Sequence, residues 1–154
     1  MPENTSQGIP DPHSTRYVFG TTKPSRYAFP THINDLIVDR ALASHSEVFM
    51  VYVNPGKSVH HHRHEDTEQV FYMLEGTGIL SIGESREEYP VKPGDVVRIP
   101  VSVLHSIRTD SDITIKYLCV DCFGGKPPLE PTWDAHARAV CRENGWEYDQ
   151  VISS

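Results

Sequence analysis

The chain has no basic stripe, no long apolar run and only three cysteines among its 154 residues. Lys and Arg number 14 against 21 Asp and Glu, a formal net charge of -7. The cations are scattered singly, so a general nucleic-acid binder, which must neutralise many phosphates, is excluded. No apolar run approaches the roughly 20 residues that a helical membrane span requires. The opening residues contain no basic segment followed by an apolar one, so a cytoplasmic, soluble protein is expected. An odd count of cysteines points to reduced thiols. Cys119 and Cys122 form a C-x-x-C pair, and with Cys141 and His136 they could make a Cys3His zinc site. That pair interrupts a strand-like run at 113–120 instead of opening a helix, so free thiols near a strand end are the preferred reading.

What is present is a β-rich middle between dissimilar ends. The hydrophobic fraction is only 38%, because the two ends dilute an apolar centre. One domain is the simplest expectation for this length. Residues 1–16, with Pro2, Pro10 and Pro12, read as a flexible N-terminal tail. Residues 17–46 read as a wrapping segment with one or two edge strands. Residues 47–122 contain about eight short strands at a spacing of about ten residues, separated by turn residues such as Asn54-Pro-Gly56 and Lys92-Pro-Gly-Asp95. That is the pattern of an all-β sandwich or barrel. Residues 123–154 form an extension. After Pro127, Pro128 and Pro131, Thr132 or Asp134 can cap a helix that runs to about Asn144 and stops at Gly145. Ala135, Ala139 and Val140 are its expected buried stripe, and Trp133 and Trp146 its anchors on the barrel.

The chemistry concentrates between Gly56 and His105. Side chains at i and i+2 of a strand share a face and sit about 6.5–7 Å apart along it. His62 and His64 have that spacing, so two imidazoles can converge on one ion. Gln69 follows after the acidic turn at 65–68, and His105 must come from a later strand. Neutral imidazole is a common metal ligand, and an amide carbonyl can be a fourth. Glu68 competes with Gln69 for that fourth position. Gln69 is favoured, because alternation then turns Gln69, Phe71 and Met73 inward together. His60 shares the strand face of His62 and is a candidate catalytic or substrate group, with His61 facing away.

These residues resemble the two motifs of the cupin superfamily. The first, G-x5-H-x-H-x3-4-E-x6-G, is matched by Gly56, His62, His64 and Gly76, with Gln69 in the acidic position. The second, G-x5-P-x-G-x2-H-x3-N, is matched by Gly94, Pro100 and His105, with Ser102 and Thr109 as departures. The resemblance implies a small single-domain metal-binding cupin: a double-stranded β-helix, or jelly-roll, barrel with a short C-terminal helix. It implies one divalent transition metal per chain inside the barrel, held by His62, His64, Gln69 and His105. Nitrogen-rich donors with one oxygen suit Fe, Mn, Co, Ni, Cu or Zn, and the lack of a thiolate argues against a structural zinc. Small cupins commonly pair, so a homodimer is expected.

Three neutral imidazoles and a neutral amide leave the ion its full double charge. Such a site is a strong Lewis acid and a trap for an anionic or chelating substrate. Within cupins, glutamine-bearing sites are similar to those of some uronate-processing, hydroxynitrile lyase and polyketide cyclase members. An isomerase, lyase or cyclase on a small oxygenated molecule is therefore the first expectation. An Fe(II)-dependent dioxygenase is the second, and a non-catalytic small-molecule binder the third. Tyr52 and Tyr72 join His60 as candidate acid/base groups. Arg98 is a candidate partner for a substrate carboxylate if its strand turns it inward, and an ordinary solvated residue if outward.

Overall fold

A computed structural model describes residues 17–43 and 45–153, so the N-terminal tail expected at 1–16 lies outside the described residues. Ten strands and two helices follow in chain order. The strands are β1 (Ser25–Ala28), β2 (Ile33–Val38), β3 (Ser46–Val53), β4 (Ser58–His62), β5 (Glu68–Glu75), β6 (Gly78–Ile82), β7 (Glu87–Val91), β8 (Val96–Ile99), β9 (His105–Thr109) and β10 (Ile115–Cys122). The helices are α1 (Trp133–Asn144) and α2 (Tyr148–Val151).

The strands form two antiparallel sheets. One has the order β1-β2-β3-β10-β5-β8 and the other β4-β9-β6-β7. This is a jelly roll, and its core is built by alternation. Along β3 every second residue is buried, from Glu47 through Phe49 and Val51 to Val53. β10 answers it with Ile115, Tyr117, Cys119 and Asp121. β7 carries Pro90 and is exposed except at Val91, as a sheet edge tolerates. Gly76, between β5 and β6, has φ +76, and a Cβ there would lie 2.4 Å from the carbonyl oxygen of Thr114. Only glycine fits that turn without a backbone shift.

The segments outside the barrel close one of its ends. β1 and β2 pair with each other and extend the larger sheet past β3. Thr132 caps α1 through its side chain, which accepts from the Ala135 amide, and Gly145 ends the helix in the left-handed conformation. The buried face of α1 is Trp133, Ala137, Ala139 and Cys141. This corrects the expected stripe, since Ala135 and Val140 are only half-buried. Trp133 packs on Phe49 at a centroid distance of 4.5 Å, and Trp146 packs on Phe29 at 5.7 Å. The three cysteines are free thiols. Cys119 and Cys122 are three apart on β10 and so face opposite sides of the sheet. No helix among the described residues is long and apolar enough to cross a membrane.

Candidate metal centre

His62 ends β4 and His105 opens β9, and the two are direct cross-strand partners. The β4–β9 register shifts between Val59 and His62. The bulge lets Val59 and His62, three residues apart, both face the interior. His64 lies just past the strand. It is tied down where its carbonyl accepts from the Ser102 amide at 2.8 Å. Ser102 stands where the cupin motif has glycine, and its φ of 66 is in the left-handed region. Its hydroxyl also donates to Glu65 at 2.6 Å.

One ring nitrogen from each of His62, His64 and His105 lies within 4.8 Å of the others. His62 Nδ1 meets the carbonyl of His60 at 2.7 Å, and His105 Nδ1 meets that of Val103 at 2.9 Å. Each contact fixes the tautomer that leaves Nε2 free to coordinate. His64 Nε2 is buried with no hydrogen-bond partner. Burial holds all three rings in the neutral, ligand-competent form, with neighbouring imidazoles adding to the effect at His62 and His64. His62 is lowered to about 4, His64 well below its ordinary value, and His105 below it.

Gln69 completes the cluster. Its Oε1 lies 3.1 Å from His105 Nε2, and its amide nitrogen donates to Asp121 Oδ1 at 2.8 Å. Asp121 is the direct cross-strand neighbour of Gln69 on β10. Beyond it lies Glu47, pushed up to about 8 by burial and by the Asp121 carboxylate. The Glu47 and Asp121 carboxyl groups share a side-chain hydrogen bond, and Asp121 Oδ1 accepts from the glutamine amide. Arg40 grips Glu47 with two bonds of 2.7 Å, both side chains being buried. Asp121 thus turns the amide so that its oxygen faces the imidazoles. Three nitrogens and one oxygen, with a buried imidazole nitrogen lacking any protein partner, fit a divalent transition ion.

The cluster opens into a cavity of about 260 Å³. Its walls include Phe49, Val51 and Tyr117 from the larger sheet, Phe29 and His32 from the N-terminal segment, and His136 and Val140 from α1. His60 also lines it, exposed, with its ring 6.0 Å from that of Trp146. His61 turns away toward Ser81. The other candidates lie elsewhere. Tyr52 is on the outer face of β3, between the buried Val51 and Val53, and beside Arg26 and Lys116. Tyr72 is exposed between Phe71 and Met73. Arg98 is exposed and bonded to Glu68 at 2.6 Å, the outward of its two readings, and the bond takes Glu68 away from the centre. Strand alternation places all three outside. Asp121, Asn34, Trp133, His32 and His136 also line the cavity, and no local sequence pattern assigns them to this site.

The cupin-domain family matches residues 49–121. This chain is a member of the cupin superfamily. It is 34% identical over 58 residues to an uncharacterized protein of Methanocaldococcus jannaschii, which covers 38% of this chain and 45% of that protein. It is 32% identical over 66 residues to an oxalate-binding protein of Thermotoga maritima, covering 43% of this chain and 53% of that one. The chain thus spans about half the length of the curated relatives it matches. Among solved structures, the crystal structure of a predicted oxalate decarboxylase from Thermotoga maritima superposes with a TM-score of 0.62 at 19% identity. The match covers 68% of this cupin and 96% of that chain, and at that identity the likeness is one of fold.

Proposed function

We propose that this cupin is a divalent-metal-dependent enzyme acting on a small, oxygenated, anionic molecule, by isomerase, lyase or cyclase chemistry. The observation that carries the reading is the partnerless, buried Nε2 of His64 beside two imidazoles and the amide oxygen of Gln69. His62, His64, Gln69 and His105 would hold the ion. When bound, it would supply Lewis acidity, polarising a carbonyl or carboxylate oxygen of the substrate. The neutral donor set leaves that acidity undiminished.

The protein's own part is positioning, exclusion of water and proton movement. The cavity lies just below the roughly 300–1,000 Å³ of ordinary small-molecule sites, so it suits a compact substrate. Phe49, Val51 and Tyr117 keep its floor dry. With Tyr52 and Tyr72 outside, His60 and His136 are the acid/base candidates on the wall. His136 Nδ1 is 3.4 Å from Glu130 Oε1, a carboxylate placed to orient the ring.

The test has two stages. Metal content is measured in wild type, His62→Ala and His105→Ala. A near-stoichiometric ion in wild type and its loss in both variants are expected, and retention in both variants would contradict the ligand assignment. The Mn(II)- or Zn(II)-loaded protein is then assayed on keto-acid and sugar-acid panels. Turnover without oxygen uptake supports the reading. Oxygen consumption coupled to turnover by the Fe(II)-loaded protein would replace it with oxygenase chemistry.

A further inference from the structure

The outward faces of the two sheets differ in composition. Strand residues that alternate with the buried ones face outward. On the smaller sheet they are mostly polar. Ser58, Arg108 and Ile79 lie side by side in one cross-strand row, and Ser106, Ser81 and Glu88 in another. On the larger sheet they are mostly apolar. Met50, Leu118, Tyr72 and Val96 make one row across β3, β10, β5 and β8, and Val48, Val120 and Val70 make the row beside it. Tyr72 is 47% exposed and Val96 66%, and the other five are half-buried. An antiparallel sheet with one face on the core ordinarily turns polar residues to water on the other. A contiguous apolar patch left on a surface marks a contact site.

The helix α1 does not cover these rows, since its Trp133 rests on Phe49, on the opposite side of β3. Residues 1–16 offer only Met1 and Ile9 as large aliphatic side chains, too few to cover seven apolar ones. The charges on this face and at its rim are already matched: Arg98 with Glu68, Lys116 with Glu75 and Arg26 with Asp35. These six side chains sum to no net charge, on a chain of formal charge -7. Two copies therefore repel through the rest of their surfaces and not through this one. A two-fold contact sets one patch against itself, and a neutral apolar patch meets no like charge when it does so. Strands of eight residues, about 27 Å long, in a four-strand width of about 19 Å give a flat footprint on the order of 500 Å². Side chains standing on that footprint raise its accessible area to the scale of the roughly 800 Å² that each partner gives to a standard interface.

We infer that the outward face of β3, β10, β5 and β8 is where a second copy of this chain docks, sheet against sheet. None of the proposed metal ligands lies on this face, so the contact stands apart from the metal reading.

Sedimentation velocity over a concentration series tests it, on wild type, Leu118→Glu and Tyr72→Glu, with Ser58→Glu on the polar sheet as control. Wild type and Ser58→Glu should sediment as dimers at micromolar concentration. Leu118→Glu and Tyr72→Glu should each raise the dissociation constant by at least about a hundredfold, because symmetry buries two uncompensated carboxylates in the contact. Tyr72 is exposed in the single chain, so its replacement leaves the fold intact even where Leu118→Glu does not. An unchanged far-UV circular dichroism spectrum checks this. A wild-type monomer at micromolar concentration, a dimer that withstands both substitutions, or one that Ser58→Glu breaks as readily would overturn the inference.

Discussion

At the metal centre the two sheets treat their buried polar groups in opposite ways. The larger sheet pairs them in a closed series: Gln69 to Asp121, Asp121 to Glu47, Glu47 to Arg40. The smaller sheet and the loop beyond it bring three imidazoles together, and His64 Nε2 is left without a partner. Paired groups hold geometry, whereas unpaired ones await something that is not protein. The larger sheet is therefore read as the scaffold that aims one oxygen, and the smaller as the main donor surface.

The largest expected effect that would break this contrast lies in the scaffold. Glu47→Ala removes the carboxyl that takes two hydrogen bonds from the buried Arg40 guanidinium, so unfolding stability should fall by about 3–5 kcal/mol. Urea denaturation measures it, and a loss under about 1 kcal/mol would mean the pair is not the scaffold's anchor. Acid should reach the donor surface next. His62, His64 and His105 have folded pKa values below the ordinary 6.5. The unfolded chain thus takes up protons first, and their contribution is complete above about pH 6.5 and lost as pH falls toward 4. The melting temperature of the metal-free protein should drop by on the order of 5 °C from pH 7 to pH 5. A flat profile there would contradict neutral burial of the cluster.

Asp121→Asn probes the join between the sheets. An asparagine amide can donate to Gln69 and let its own amide turn, so metal affinity should fall by roughly 10–100-fold, as is usual when a group orienting a ligand is lost. Competition with a chelating dye reads this, and unchanged affinity would remove Asp121 from its aiming role. The smallest effect is expected at Ser102, in the loop that fastens His64. A left-handed serine is strained by roughly 1–2 kcal/mol. Ser102→Gly relieves that strain and gives up the hydroxyl bond to Glu65, for a net gain of about 0.5–1 kcal/mol. A loss of stability would show that the Glu65 bond outweighs the strain.

The donor surface was more legible in the sequence than the scaffold. His62, His64 and Gln69 are close in the chain, and counting from Gly56 and to Gly76 singles them out from His60, His61 and Glu68. The cap at Thr132 and the stop at Gly145 are equally local. Asp121 and Glu47 reach Gln69 only through strand pairings that no local pattern reveals, and Asn34, Trp133 and His136 arrive from the segments that close the barrel. Tyr52, Tyr72 and Arg98 have side chains of the chemical types the site would use. Each sits between two apolar residues of a strand, a phase that already points it outward. The β4 bulge was not legible, because one extra residue leaves no mark on so histidine-rich a run.

X-ray absorption at the metal edge of the Mn(II)- or Zn(II)-loaded wild-type protein tests the central claim most directly. The expected spectrum has three imidazole nitrogens and the remaining donors oxygen, at roughly 2.0–2.2 Å for zinc. A sulfur donor at roughly 2.3 Å, or fewer than two imidazoles, would place the ion elsewhere and contradict it.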